Sequence, residues 1–300
     1  MIIYLGELAA LTTALCWSFT SIFFTLAGRQ VGSVVVNRLR LLVATLFLVI
    51  SHWLLALPLP FKAEPERWFW LGLSGVIGLV LGDAFLFQSY VWVGPRLGML
   101  MMSSVPVIST LLAWIFLGEA LAISQVTGIL LTVGGIVWVV LERSGGQRTQ
   151  PADPNYVWGI LFGLGAAAGQ ALGLIAAKKG LGGDFPALSG NFIRMLVALV
   201  VMWGFTISRG QCKPTLQRLA GQPRAGWHIV GGSFFGPFVG VSLSLLAIQL
   251  TQIGIASTLM ALPPVLLLPI GHYIFREQIS WQAIIGTLIA IVGVAMLFLA

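Results

Sequence analysis

The chain has 300 residues, of which 58% are hydrophobic and only 8% are charged. In a soluble domain roughly a quarter of all residues are charged, so this composition excludes an ordinary soluble protein. The formal net charge is +7, but the cations are scattered singly among predicted loops. Because the sequence has no basic stripe with interleaved aromatic residues, we expect no nucleic-acid partner.

Long apolar runs follow one another along the chain. Each is roughly 18–22 residues long, the length that a helix needs to cross about 30 Å of hydrocarbon. The runs are continuous and do not alternate as barrel strands do, so the predicted fold class is an all-α polytopic membrane protein. The ten predicted transmembrane helices cover residues 5–27, 33–55, 68–91, 97–116, 121–141, 156–177, 187–207, 228–249, 255–275 and 280–299.

The second half of the sequence repeats the first. A shift of 158 residues carries Pro106 onto Pro264, and a shift of 154 carries the Asn-x-x-Arg motif that ends at Arg40 onto the one that ends at Arg194. Because each half has an odd number of spans, the second half must be inserted upside down relative to the first. We therefore predict two inverted five-helix repeats, an arrangement that secondary transporters use around a site at mid-membrane.

One segment between the repeats is polar and rich in glycine and proline, which is typical of a linker. We therefore divide the chain into a first five-helix repeat, a linker and a second five-helix repeat. These three parts are residues 1–141, 142–155 and 156–300.

Several short motifs resemble the EamA-type branch of the drug/metabolite transporter superfamily, over nearly the whole chain. The resemblance implies a prokaryotic inner-membrane carrier that works by alternating access and often exports amino acids or related metabolites. It also implies cytoplasmic termini, whereas the distribution of cations over the loops places both termini outside, so the orientation stays open. The motifs are Ala14-Leu15-Cys16-Trp17, Arg40-Leu41-Leu42, Pro106 and Gly118-Glu119, with matches in the second repeat at Arg194, Pro264 and Glu277.

Asp83 is an acidic residue within a long apolar stretch. An ionised carboxylate is costly in hydrocarbon, so this side chain should face a cavity, find a partner or be protonated. Helical spacing places Phe87 and Tyr90 on the same face. We interpret Asp83 as a proton-coupling group or as the partner of a substrate ammonium. The alternative is a structural acid bonded to neighbouring hydroxyl groups or to arginine.

Other candidates for the wall of a substrate pocket are amphipathic or soft side chains on shared helix faces or at equivalent positions of the two repeats. Methionine adapts to varied ligands, and tryptophan can contact an ammonium through a cation–π interaction. The symmetric Arg40 and Arg194 are instead interpreted as scaffold residues. The pocket candidates are Trp17, Ser21, Met99, Met102, Ser103, Gln170, Ser242, Gln249, Ser257 and Met260.

Glycine and proline interrupt the predicted spans at matching places in the two repeats. A Gly-x-x-x-Gly motif lets helices approach closely, and a proline removes a backbone donor and kinks its helix. We expect these positions to act as hinges and packing sites beside the cavity. They are Gly78, Gly82, Pro106, Gly236, Pro237, Gly240 and Pro264.

These patterns together predict a secondary transporter for a small amphipathic metabolite, with an amino acid as the first choice and protons as the candidate coupling ion. The alternatives are an exporter of cationic drugs or amines, with Asp83 as counter-ion, and a membrane scaffold or sensor that transports nothing. The sequence has no phosphate-binding loop, metal-ligand cluster or Ser/His/Asp set, so we expect no enzyme activity, metal or cofactor. The expected partners are the substrate and membrane lipid, and the oligomeric state stays open.

Overall fold

The computed structural model describes residues 4–108, 111–112, 122–146, 154–183, 185–250, 256, 259–275 and 280–296. These residues are almost entirely helical and contain no β-strand. A short 3₁₀ turn lies at Pro60–Lys62. In chain order, helices α1 to α12 are Leu5–Val31, Ser33–Leu54, Pro65–Ser74, Asp83–Met102, Ile123–Gly146, Tyr156–Gly180, Ala187–Ser208, Cys212–Ala220, Pro223–Ser233, Val241–Leu250, Pro263–Phe275 and Trp281–Met296.

Six helical segments of the described chain are long and apolar enough to cross a membrane. They are α1, α2, α6, α7 and the longer segments Pro65–Met102 and Pro223–Leu250. Two shorter apolar helices lie at Val126–Val139 and Trp281–Met296. The prediction of an all-helical, multi-pass membrane protein is thereby confirmed. The count of ten spans and the inversion of the repeats stay predictions, because parts of the spans predicted at 97–116 and 255–275 lie outside the described residues.

The predicted boundary between the third and fourth spans coincides with a sharp change in the backbone of α4. Gly94 has φ 83° and ψ 167°, a left-handed conformation that glycine adopts without a steric penalty. The helix resumes at Pro95, where the missing N–H costs little because the first turn of a helix has no acceptor for it. The Gly94-Pro95 pair therefore turns the chain without leaving a long loop.

Two π-helical segments occupy corresponding places in the two halves. The first π segment, Gly75–Gly82, joins α3 to α4, and the second π segment, Phe234–Gly240, joins α9 to α10. Wider turns of this kind are rare and are often found at functional sites. The predicted Gly-x-x-x-Gly motifs both lie within these segments.

The glycines of the two π segments lie against helices of the opposite half. A Cβ atom on Gly173 of α6 would lie 3.2 Å from the Cα atom of Gly78, and one on Gly169 would lie 3.0 Å from the Cα atom of Gly82. In the second π segment, a Cβ atom on Gly236 would lie 2.6 Å from Thr20 of α1. A Cβ atom on the nearby Gly240 would lie 3.0 Å from Trp17 of the same helix. Bare backbone is therefore needed for this close approach, whereas motion at these positions stays a prediction.

The two halves pack into one another through reciprocal contacts. Helix α1 packs on α9, the second π segment and α10, while α4 and the first π segment pack on α6. Helices α5 and α12 pack mainly on each other, and the hydroxyl of Thr132 donates to the carbonyl of Ala290 at 3.4 Å. This arrangement leaves a space between the halves, away from the α5–α12 pair.

Candidate functional site

A cavity of about 450 Å³ lies between the two halves. Its volume falls in the range of about 300–1,000 Å³ that small-molecule sites occupy. The wall is mainly aromatic and aliphatic, with a few charged and amide side chains. Of the predicted pocket residues, the described wall includes Trp17, Asp83, Phe87, Tyr90, Met99, Met102, Ser103, Gln170 and Met260.

Helical periodicity explains how α4 and α6 supply their parts of the wall. On α4, Asp83, Phe87 and Tyr90 recur at intervals of four and three residues, which places them on one face. On α6, Gln170 and Lys178 lie eight residues apart, two turns along the same face. Each helix therefore presents apolar surface to the cavity with a polar or charged group beside it.

The prolines and glycines predicted as hinges divide into two groups. Pro106, Gly236 and Pro237 line the cavity. The other described positions of this set, namely Gly78, Gly82, Gly240 and Pro264, are buried among neighbouring helices and are not part of the described wall.

An ion pair between Arg40 and Asp83 forms the charged centre of the cavity, with 2.6 Å between Nη2 and Oδ2. The Nε–H of Arg40 also donates to Oδ1 of Asn37 at 2.9 Å, and Nη2 donates to the carbonyl of Leu79 at 2.7 Å. The guanidinium carbon lies 4.9 Å from the centre of the Phe87 ring. A buried charge is tolerated when it is paired and hydrogen-bonded, and these contacts meet that condition.

The second Asn-x-x-Arg motif has a different environment. The amide nitrogen of Asn191 donates to the carbonyl of Pro237 at 2.8 Å and to the hydroxyl of Ser242 at 3.0 Å. Within the described residues, Oδ1 of Asn191 and Nε of Arg194 are buried and have no hydrogen-bond partner. Arg194 is only 1% exposed yet lines the cavity. The acid that would correspond to Asp83 is replaced by Val241, which also lines the cavity.

Three predicted pocket residues are not among the residues that line the cavity. Ser21 is fully buried and donates to the carbonyl of Ser18 at 2.8 Å, because the face of α1 that lines the cavity carries Trp17, Thr20 and Phe24. Ser242 accepts the hydrogen bond from Asn191. Gln249 is exposed and donates to the carbonyl of Phe185 at 2.9 Å. Ser257 lies outside the described residues.

More basic side chains line the cavity than the sequence interpretation predicts. Arg40 and Arg194 were expected to support the scaffold, but both line the cavity. The recurrence of the Asn-x-x-Arg motif in both repeats was the feature of the sequence that could have indicated this placement. Lys178 also contributes to the wall, although a lysine near the end of an apolar helix ordinarily indicates an interfacial anchor.

Long apolar helices that enclose a central cavity with a few charged groups are the construction of a membrane transporter. The model of the EamA-like transporter family matches residues 4–141 and 157–299, so this chain belongs to that family. The resemblance inferred from the short motifs is thereby confirmed, and the protein is a multi-pass membrane transporter for small molecules.

Two further comparisons agree with the family. A protein of Archaeoglobus fulgidus that is described as an uncharacterized transporter is 23% identical over 298 residues, which cover 97% of each chain. A solved structure described only as a crystal structure of a protein matches with a TM-score of 0.64 and 17% identity. That match covers 98% of this chain and 96% of the other, and it supports the fold alone.

Proposed function

We propose that this protein is a secondary transporter that moves a small amphipathic metabolite by alternating access, with an amino acid as the first candidate substrate. The observation that carries the proposal is the cavity of about 450 Å³ between the two halves, which combines an apolar wall with charged groups. A purely apolar solute would gain nothing from the charged groups, and a strongly polar solute would gain nothing from the apolar wall. An amino acid uses both.

The apolar wall suits a hydrophobic side chain of the substrate. Trp17, Phe24 and Phe87 supply rigid aromatic surface, while Met99 and Met260 supply flexible, polarisable surface. Methionine can adjust to side chains of different shape, and an aromatic face can contact an ammonium group. The wall therefore fits a range of neutral and aromatic amino acids better than it fits one rigid molecule.

Asp83 is the proposed site of proton coupling. A proton on either carboxyl oxygen removes the negative charge that attracts Arg40 across the 2.6 Å ion pair. Protonation would therefore weaken the ion pair and alter the contacts between α2 and α4. A proton that binds one arrangement of this pair better than the other shifts the balance between the two arrangements, which is the thermodynamic requirement for coupling.

Export of cationic drugs or amines is the second candidate considered from the sequence, and the charges of the cavity disfavour it. Asp83 is already neutralised by Arg40, while Arg194 and Lys178 add positive charge to the same wall. A cation would meet net repulsion there. A scaffold or sensor without transport is the remaining alternative, and it predicts no movement of solute.

The remaining parts of the proposal concern the membrane and the repeats. We place the protein in a prokaryotic inner membrane, in the direction of export, with ten spans arranged as two inverted repeats. The repeats are residues 1–141 and 156–300, joined at 142–155. The family match in two segments, 4–141 and 157–299, supports this division.

Counterflow in proteoliposomes tests the transport proposal. Vesicles containing the purified protein are loaded with one unlabelled amino acid, and the uptake of the same labelled amino acid is followed, with protein-free vesicles as the control. The panel covers aromatic, aliphatic, acidic and basic amino acids and organic cations. Uptake of neutral or aromatic amino acids is expected. Uptake confined to organic cations would overturn the amino-acid proposal, and absence of flux for every solute would favour a scaffold or sensor.

A further inference from the structure

We propose that Arg194 is the receptor for the carboxylate of the transported solute, which makes amphipathic carboxylates the substrate class. The inference rests on the proposed transport function and deepens it. It assigns a recognition role to one arginine and leaves the equivalent arginine of the other repeat in a structural ion pair.

The first observation is that Arg194 is buried and lines the cavity, where the Asp83 carboxylate acts on its charge but forms its ion pair with Arg40. Its side chain is 1% exposed, and its Nε–H makes no hydrogen bond among the described residues. Oδ1 of Asn191, one turn earlier on α7, is also buried and unpaired in the described chain. A buried guanidinium without a bonded anion is costly, so an acceptor that bonds Arg194 would complete the site.

The second observation is the contrast with Arg40, which serves as an internal control. Arg40 occurs in the same Asn-x-x-Arg motif, yet it bonds Asn37, the carbonyl of Leu79 and the carboxylate of Asp83. In the second repeat the position of the acid is held by Val241, which faces the cavity. The protein therefore bonds a carboxylate to one arginine and has a valine where the other repeat would need the equivalent acid.

The third observation concerns the neighbours of Arg194. A Cβ atom on Gly78 would lie 3.6 Å from Oε1 of Gln170 and 3.7 Å from Nη2 of Arg194, so the amide and the guanidinium share one corner of the cavity. Lys178 lies two turns further along the same face of α6. Because Asp83 and Arg40 neutralise one another, the charge left over among the described residues of the wall is positive.

The chemistry of the guanidinium selects the type of anion. Its planar, forked donors match the two oxygens of a carboxylate and can form two parallel hydrogen bonds. Leu79, which follows the glycine beside Nη2 of Arg194, and Phe87 both belong to the apolar wall. A solute with a carboxylate at one end and an apolar side chain at the other fits this order of groups.

Matched ligands test the inference on the unaltered protein. Binding is followed through the rise in melting temperature of the purified protein in detergent, with increasing concentrations of L-phenylalanine, L-phenylalaninamide and 3-phenylpropanoate. Leucine and leucinamide form a second pair with an aliphatic side chain. We expect each carboxylate to bind at least about tenfold more tightly than its amide, since hydrogen bonds to charged groups are the stronger ones. We also expect 3-phenylpropanoate to bind without an ammonium group.

Variants identify the residue responsible. Arg194→Gln should remove the preference for the carboxylate over the amide, whereas Arg194→Lys should retain part of it. Arg209→Gln is the matched control, because Arg209 follows α7 and contacts the exposed Phe205 outside the cavity. That variant should keep the full preference. The melting temperature of each variant without ligand, together with its elution in gel filtration, establishes that it is folded.

The outcomes separate this inference from the transport proposal. Equal binding of acid and amide, absence of binding by every carboxylate, or an unchanged preference in Arg194→Gln would overturn the inference. Counterflow is measured on the same preparations. Flux without any preference for carboxylates would leave the transport proposal standing and refute the role of Arg194. Binding that depends on Arg194, with no flux of any solute, would support the receptor and refute transport.

Discussion

Asp83 of α4 and Arg40 of α2 are joined by an ion pair of 2.6 Å, in the wall of the cavity and at the end of the first π segment. Arg40 is almost completely buried, whereas Asp83 keeps 16% of its side chain exposed. The pair thus joins a fixed cation to an acid that solvent or solute in the cavity can reach. This difference in access determines which partner is expected to titrate during transport and which is expected to hold the structure.

Asp83→Asn should abolish transport driven by a pH gradient while counterflow of the unlabelled and labelled solute continues. The amide oxygen can still accept a hydrogen bond from Arg40, so the fold should be retained, but the group can no longer exchange a proton. Uptake into proteoliposomes with and without an imposed pH gradient measures the effect. Glu64→Gln is the control, since this exposed acid pairs with Arg67 outside the cavity. A pH dependence in Asp83→Asn equal to that of the unaltered protein would remove Asp83 from the coupling mechanism.

Arg40→Ala should destabilise the protein much more than Arg194→Ala. Removal of Arg40 leaves the carboxylate of Asp83 and the oxygen of Asn37 without their partner, and breaking a buried pair costs about 3–5 kcal/mol. Removal of Arg194 breaks no ion pair among the described residues. Thermal unfolding in detergent compares the two variants. The double variant Arg40→Ala/Asp83→Ala should recover part of the loss, and equal melting temperatures for the two single variants would contradict the assigned roles.

Gly75→Ala should destabilise the contact between the first π segment and α7. A Cβ atom at Gly75 would overlap the backbone carbonyl of Arg194, which cannot rotate away as a side chain can. Overpacking of this kind costs about 1–3 kcal/mol. Gly204→Ala is the matched control, because a Cβ atom there would meet no atom within 4 Å. The control should be neutral or stabilising by up to about 1 kcal/mol, as expected for alanine in a helix. Equal melting temperatures would contradict the close contact between Gly75 and the carbonyl of Arg194.

Trp17→Ala should weaken the apparent affinity for amino acids by about two- to thirty-fold, since a cation–π contact contributes about 0.5–2 kcal/mol. Ser21→Ala should leave the affinity unchanged, because Ser21 points away from the cavity and donates to Ser18. The concentration dependence of counterflow measures both. The comparison distinguishes the sequence-based pocket, which includes both residues, from the structural one. A loss in Ser21→Ala as large as that in Trp17→Ala would favour the former.

The pocket could be predicted from the sequence best where helical periodicity and the internal repeat act together. Phe87 and Tyr90 follow Asp83 at helical spacing, and all three line the cavity. Gln170 was found because it corresponds to Trp17 in the repeat. The prediction was weaker for hydroxyl groups, since a serine on a helix can satisfy itself by donating to its own backbone, as Ser21 does. Periodicity alone does not distinguish this arrangement from one that faces a solute.

Hydropathy and the repeat determined the class of protein, because the length of an apolar run and the matching of two segments are properties of the chain itself. They also identified Asp83 as an exceptional group. Only the tertiary structure decided that Arg40 forms the ion pair with this acid while Arg194 lines the same cavity without a bonded anion among the described residues. The two arginines occur in the same local motif, so no local property separates them. The difference arises from what other helices bring close to each guanidinium, which depends on how the two halves pack.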